Sequence, residues 1–236
     1  MKNIKRISRI IITVALLGIC IFSLVMIIKW FTNTRSNKKL LNEINTRIVI
    51  EDIHDGKSTI DFDYLKKINS DTVGYLSIDG VDINYPVVEG DNNDYYLNHS
   101  FDKTKNVAGW IFMDYRNSSS IFDDKNTVIY GHNMKDGSMF GKLKQLKNSD
   151  IDTIYYYDEE NKITFKIISM YEIDAEDYYI TTNMNDNEYL KFLNTIKGRS
   201  IKKIDYNPSL EDKIITLSTC SSSKKRFVVH AALLQD

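Results

Sequence analysis

The hydrophobic positions of this 236-residue chain fall into three successive patterns. Residues 10–28 read IIITVALLGICIFSLVMII, 19 positions without a charge and without a polar face. A helix of that length rises about 28 Å, close to the hydrocarbon thickness of a bilayer. Residues 36–53 place apolar side chains at 40, 41, 44 and 48, the spacing of one helix face, and predict a juxtamembrane helix or stalk. Residues 61–70 (DFDYLKKINS) open on an acidic cap and predict a short helix. From Thr72 the period becomes two: VGYLSI, an Asp79-Gly80 turn, then VDINYPVV, a strong hairpin signal. Further strands are predicted over 107–113, 127–130, 153–157, 163–173, 213–219 and 227–234. Helical patches are predicted over 92–97, 139–146 and 186–197. About eight strands with inserted helices point to a mainly β fold, a closed or nearly closed barrel.

The apolar run is too long, and its downstream flank KWFTNTRSNKK too poor in small residues, for an ordinary cleaved signal peptide. It is read as an uncleaved anchor, with Trp30 and Phe31 at the interfacial belt. The expected organisation is a cytoplasmic tail and transmembrane anchor over 1–31, a juxtamembrane helix or stalk over 32–59, and a folded barrel domain over 60–236. A large domain translocates with little regard to charge, so a cytoplasmic N-terminus and an extracellular body are expected.

Charge sharpens this division. Eight of the 31 basic residues lie in the first 39 positions, which hold no acid, so the other 197 residues carry 23 basic against 32 acidic side chains. A body so acidic has no electrostatic footprint for nucleic acid. Composition is ordinary for a globular protein, 42% hydrophobic and 27% charged, which excludes wholesale disorder and a multi-span transporter. Two cysteines and no Cys/His cluster exclude a disulfide framework and a structural zinc site.

Cys20 lies inside the anchor, which leaves Cys220 as the one thiol of the body. In KIITLSTC the period places Thr216, Ser218 and Cys220 on one strand face, the more polar one, with Cys220 at the strand end. SSSKKR follows, a polar and electropositive loop of the kind that lowers a thiol's pKa and makes it a nucleophile. Such a thiol needs an imidazole partner, and the chain offers His54, His99, His132 and His230. His54 falls in the stalk region and His99 in a polar loop. His132 ends a strand beside a polar loop, and His230 lies within FVVHAALL. Pattern alone places His132 modestly ahead of His230 and leaves the choice open. Arg226, six residues past the cysteine, can return to it across a short loop. Its fixed cationic fork suits an oxyanion or a peptide carbonyl.

Taken together these segments resemble the class B sortases, membrane-anchored cysteine transpeptidases of Gram-positive bacteria. TLSTC at 216–220 matches the TLxTC motif. Arg226-Phe-Val-Val matches the arginine-bearing strand. VIYGHNM at 128–134, followed by GSMFG, matches the histidine segment. GWIFMDYRN at 109–117, the segment YPVVEGDNNDYYLNHSF and the helix near 186–197 also fit.

The resemblance implies a sortase-like closed eight-stranded β-barrel with inserted helices, behind a transmembrane helix. It implies Cys220 as nucleophile, His132 as acid/base and Arg226 as oxyanion stabiliser. Substrate contacts would map to Leu97, Tyr179, Ile180 and Ser218, with Asn93 a weaker candidate. It further implies cleavage of a C-terminal sorting motif of the LPxTG or NPxTx type on secreted proteins, through a thioacyl enzyme resolved by a cell-wall precursor amine. No metal or cofactor is expected. A pilin-polymerising sortase with a lysine acceptor is the nearest alternative. A papain-like peptidase would need the cysteine before the histidine, and the non-enzyme alternative is an anchored β-barrel binding module.

Overall fold

In the computed structural model, residues 2–51, 58–175, 180–220 and 224–234 are described, Cys220 through its backbone alone. The first helix, α1 (Lys2–Arg47), is one uninterrupted helix of 46 residues. The expected anchor therefore runs on into the juxtamembrane helix as a single rod, which ends at Arg47, short of the expected helix end at residue 53, because Val49–Glu51 form a strand. Its apolar stretch leaves Ile10, Phe22, Leu24 and their neighbours exposed on every side, and it is long and apolar enough to cross a membrane. Its last third changes character. Thr34, Asn37, Ile44 and Ile48 are buried and Leu40 and Leu41 partly so, the 3–4 spacing of one helix face laid against the barrel.

A two-stranded ribbon follows, β1 (Val49–Glu51) with β2 (Ser58–Ile60). The short helix α2 (Phe62–Ile68) starts where its cap predicts, because the Asp61 carboxylate accepts from the Tyr64 amide at 2.8 Å. The barrel strands are β3 (Thr72–Ile78), β4 (Ile83–Glu89), β5 (Phe112–Met113), β6 (Asn126–Tyr130), β7 (Thr153–Tyr157), β8 (Lys162–Asp174), β9 (Ile214–Cys220) and β10 (Lys225–Leu233). They close in the order β10-β8-β7-β3-β4-β5-β6-β9, with β9 also paired to β10. The helix α3 (Asp186–Arg199) is inserted between β8 and β9 and opens on a full capping box, Asn185 with Glu188.

Three local expectations change. The β3–β4 hairpin pairs Ile78 with Ile83, so its turn is the four residues 79–82 rather than Asp79-Gly80 alone. Val81 is buried, and Gly80 and Asp82 take positive φ to let it turn inward. The strand expected over 107–113 shrinks to Phe112–Met113, since Gly109 breaks it with φ +58° and Trp110 turns its indole to the Pro86 carbonyl at 2.9 Å. The helical patches over 92–97 and 139–146 are realised as the short 3-10 turns Tyr95–Leu97 and Leu143–Asn148.

Two apolar layers result. The barrel interior holds Leu76, Val87, Phe112, Ile129, Ile215, Leu217 and Val229 among others. The opposite face of β8, β9 and β10 carries Ile168, Ile214, Val228 and Ala232 beneath Tyr189, Leu193 and Ile196 of α3. Period-two alternation on β9 and β10 feeds both layers at once.

Candidate functional site

Three adjacent strands bring the expected residues to one barrel end. β6 runs parallel to β9 with Tyr130 beside Ser218, and the Gly131 amide extends the ladder to the Ser218 carbonyl at 3.2 Å. His132 follows Tyr130 by two residues, so continuing this register past the end of β6 would bring it level with Cys220. On the other side of β9 the antiparallel register pairs Arg226 with Cys220. Neighbouring strands lie about 4.8 Å apart, so a row of His132, Cys220 and Arg226 in this register would be roughly 10 Å wide. Alternation assigns positions 216, 218 and 220, with 226, 228 and 230, to the outward face, of which α3 covers the further part.

His132, two residues past β6, is held from outside that strand. Its Nε2 meets the Leu97 carbonyl at 2.7 Å. A carbonyl only accepts, so Nε2 carries the proton and Nδ1 is the basic atom of the neutral ring. That carbonyl ends the 3-10 turn Tyr95–Leu97, which starts where the Asn92 side chain accepts from the Asp94 and Tyr95 amides, both at 2.9 Å. The returning chain packs on the same turn at Gly109. A Cβ there would lie 2.5 Å from the Tyr96 oxygen, 2.8 Å from the Leu97 oxygen and 3.0 Å from His132 Cδ2. Only glycine lets the turn, the return and the imidazole meet. Sequence reasoning gave Gly109 no role, although its position opening GWIFMDYRN was a signal.

His230 occupies a different environment. It is fully buried four residues along the register from Cys220, opposite Thr216. Asn126 donates its amide to the Thr181 carbonyl and accepts from the Thr216 hydroxyl at 2.6 Å, so the Thr216 oxygen accepts in turn from His230 Nδ1 at 2.8 Å. The Tyr171 hydroxyl donates to His230 Nε2 at 2.8 Å. The ring is thus neutral and committed on both nitrogens. Burial, and behind it the Arg199 charge, push its pKa down to about 3. His99 stacks on Tyr95 with ring centres 4.0 Å apart and meets the Tyr95 carbonyl through Nδ1 at 2.7 Å. His54 lies outside the described residues.

The expected substrate residues separate. Leu97 is exposed and its carbonyl touches His132. Ser218 is buried on the face of position 220. Ile180 packs partly buried against the α3 layer. Asn93 gives its amide to Asp114 at 3.1 Å and accepts from the Tyr115 amide at 3.1 Å. Tyr179 lies outside the described residues. Asp114, a residue that sequence reasoning missed, joins the Arg116 fork at 2.6 and 2.8 Å and the Tyr130 hydroxyl at 2.8 Å, bracing the end of β6 just before His132. Burial pushes the Asp114 carboxyl up, and these donors more than offset it, holding the carboxyl below its usual range. Among the described residues no group of three or more His, Cys, Asp or Glu side chains is placed to hold a metal ion.

The sortase-domain family model matches residues 76–234, which hold this row and the whole barrel from Leu76 onward. The chain belongs to the sortase family. Its relatives place it with class B. Sortase B of Listeria monocytogenes is 35% identical over 90% of this chain and 89% of its own length. Sortase B of Staphylococcus aureus is 37% identical over 74% of this chain and 75% of its own. The crystal structure of sortase B from Bacillus anthracis in complex with AAEK1 superposes with a TM-score of 0.76 at 35% identity, covering 87% of this chain and all of that one. The Clostridium perfringens sortase B structure gives 0.70 at 36% identity, over 74% of this chain and all of that one. The closed eight-stranded barrel is the sortase B fold, and the chain is a sortase transpeptidase by family.

Proposed function

We propose that this chain is an extracellular, membrane-anchored cysteine transpeptidase that cleaves a C-terminal sorting motif of the LPxTG or NPxTx type at the threonine carbonyl. Cys220 is the nucleophile, His132 the acid/base and Arg226 the oxyanion stabiliser. The observation that supports the reading is the register around β9: Arg226 pairs with Cys220 on one side, and on the other β6 pairs Tyr130, two residues before His132, with Ser218. In the first step the Cys220 thiolate adds to the carbonyl carbon and a C–S bond forms. The C–N bond then breaks, and the departing amine takes a proton from the His132 imidazolium. In the second step a cell-wall precursor amine attacks the thioacyl carbon and loses a proton to His132, and the C–S bond breaks to release the thiolate. Arg226 is assigned the negative oxygen of both tetrahedral intermediates.

An unperturbed cysteine titrates near 8.5 and a histidine near 6.5, so the thiolate–imidazolium pair is a minority state unless the site favours it. Low turnover and a bell-shaped pH profile follow. The anchor keeps enzyme, secreted substrate and lipid-linked acceptor in one plane, raising their effective concentration. With the N-terminus cytoplasmic, α1 leads outward to the barrel.

The deciding experiment is cleavage of a sorting-peptide library by the full chain, read by mass spectrometry with and without added amines. The wild type is expected to cleave after threonine and to form amide products when amine is present. Cys220→Ala is expected to lose both with an unchanged thermal melt. Retained cleavage by Cys220→Ala overturns the mechanism.

A further inference from the structure

We propose that the juxtamembrane end of α1 positions the catalytic histidine, with Asn37 and Lys38 clamping the two chain segments that flank His132. This rests on the role given to His132 above and extends it to the anchor helix. Asn37 is 3% exposed and its amide makes three hydrogen bonds. Its Nδ2 donates to the Gly109 carbonyl at 3.1 Å, and its Oδ1 accepts from the Ser100 hydroxyl at 2.6 Å and from Asn106 Nδ2 at 2.7 Å. Asn106 also donates to the Asn33 carbonyl of α1 at 2.9 Å. Gly109 is the residue wedged against the Leu97 carbonyl and the His132 ring. Asn37 thus grips one side of the histidine's cradle.

Lys38, the next residue, grips the other side. Its ammonium lies 3.0 Å from Oδ2 of Asp136, an oxygen buried without an aligned hydrogen bond. Asp136 Oδ1 accepts from the Ser138 amide and hydroxyl, at 3.2 and 2.7 Å. The loop they share is rooted at the histidine itself, because the Phe140 amide donates to the His132 carbonyl at 3.0 Å.

Simple docking of a helix needs only apolar contact, which Ile44 and Ile48 already supply. A buried amide that donates to one segment and accepts two hydrogen bonds from another, beside a charge compensating a buried carboxylate oxygen, fixes the rotation and height of the helix as well. Consecutive residues point about 100° apart on a helix, so one setting of α1 satisfies both grips together. Since α1 is continuous with the apolar span, the depth and rotation of the anchor bear directly on the imidazole.

The test uses the full chain in nanodiscs, labelled with ¹⁵N-histidine, comparing wild type with Asn37→Leu, Lys38→Glu and Lys39→Glu. Lys39 is the control: it is 79% exposed and pairs with Glu43 on its own helix. The imidazole resonances of His132 and their titration midpoint are read directly, and kcat and KM are measured on the peptides that the wild type cleaves. The resonances of buried His230 report that each variant is folded. Asn37→Leu and Lys38→Glu are expected to move the His132 resonances and lower kcat roughly tenfold at nearly constant KM, with Lys39→Glu unchanged. Adding Asp136→Lys to Lys38→Glu is expected to restore both readouts to within about threefold of wild type. Unmoved His132 resonances in folded Asn37→Leu and Lys38→Glu overturn the proposal. Failure of the charge swap to restore them overturns the Lys38 arm. Should the wild type cleave no peptide, the transpeptidase reading fails while the spectra still decide the clamp.

Discussion

Replacing Gly109 by alanine probes the cradle of His132 with a single methyl group. The backbone there has φ +58°, where an L-residue costs about 1–2 kcal/mol. The new Cβ would stand 2.5 Å from the Tyr96 oxygen and 2.8 Å from the Leu97 oxygen, and both are backbone atoms. Reaching a tolerable contact moves the Tyr96 carbonyl by about 0.5 Å in a packed region, a further cost of about 1–2 kcal/mol. The sum is about 2–4 kcal/mol, or a fall in Tm of roughly 5–12 °C for a domain of this size. The same displacement pulls the Leu97 carbonyl from the imidazole, so kcat is expected to fall roughly 10–100-fold, with a smaller change in KM. The assay pairs thermal melts with peptide-cleavage kinetics, and Gly198→Ala is the control. Gly198 sits in α3 with open space around its Cβ, so alanine there is expected to add about 0.5–1 kcal/mol and leave kcat unchanged. If Gly109→Ala keeps wild-type kcat and melts within 1 °C of wild type, the cradle does not position the imidazole.

Two further outcomes concern titration. The depressed pKa of His230, about 3 against the ordinary 6.5, keeps the ring neutral in the folded chain. Its contribution to stability is complete above about pH 6.5 and is lost as pH falls toward 3, by up to about 1.4 kcal/mol per unit. Urea melts from pH 7 to 4.5 should show this slope, and His230→Gln should flatten it; equal slopes would refute the assignment. Glu89 has the opposite sign. Burial first, then the Asp124 and Asp114 charges, push its carboxyl up to about 7. Its neutral form contributes stability that is complete below about pH 4.5 and lost as pH rises through 7. Glu89→Gln should therefore raise Tm more at pH 8 than at pH 5, and a gain independent of pH would count against the shift.

The linear order of residues determined the periodicities, and these determined most elements. Residues 153–157 alternate between buried and half-buried, the pattern of a sheet with one face inward, and the long strand after Lys162 does so until α3 covers its second face. Asp61 announces its helix because a short polar side chain beside orphan amides is a local interaction. Cys220 could be singled out from its place at a strand end before a basic loop, since that pattern is also local.

Contacts across long sequence distance were decided by the tertiary structure. That His132 comes toward position 220 depends on a parallel β6–β9 pairing between segments some 90 residues apart, and no period encodes a partner. His230 differs from His132 only through what α3 covers and what Thr216 and Tyr171 bond. The docking of that first helix on the barrel through Asn37 and Lys38 was equally illegible. Its residues repeat with a helical period whether the helix stands free or docks, and only the barrel supplies Gly109 and Asp136 to receive them.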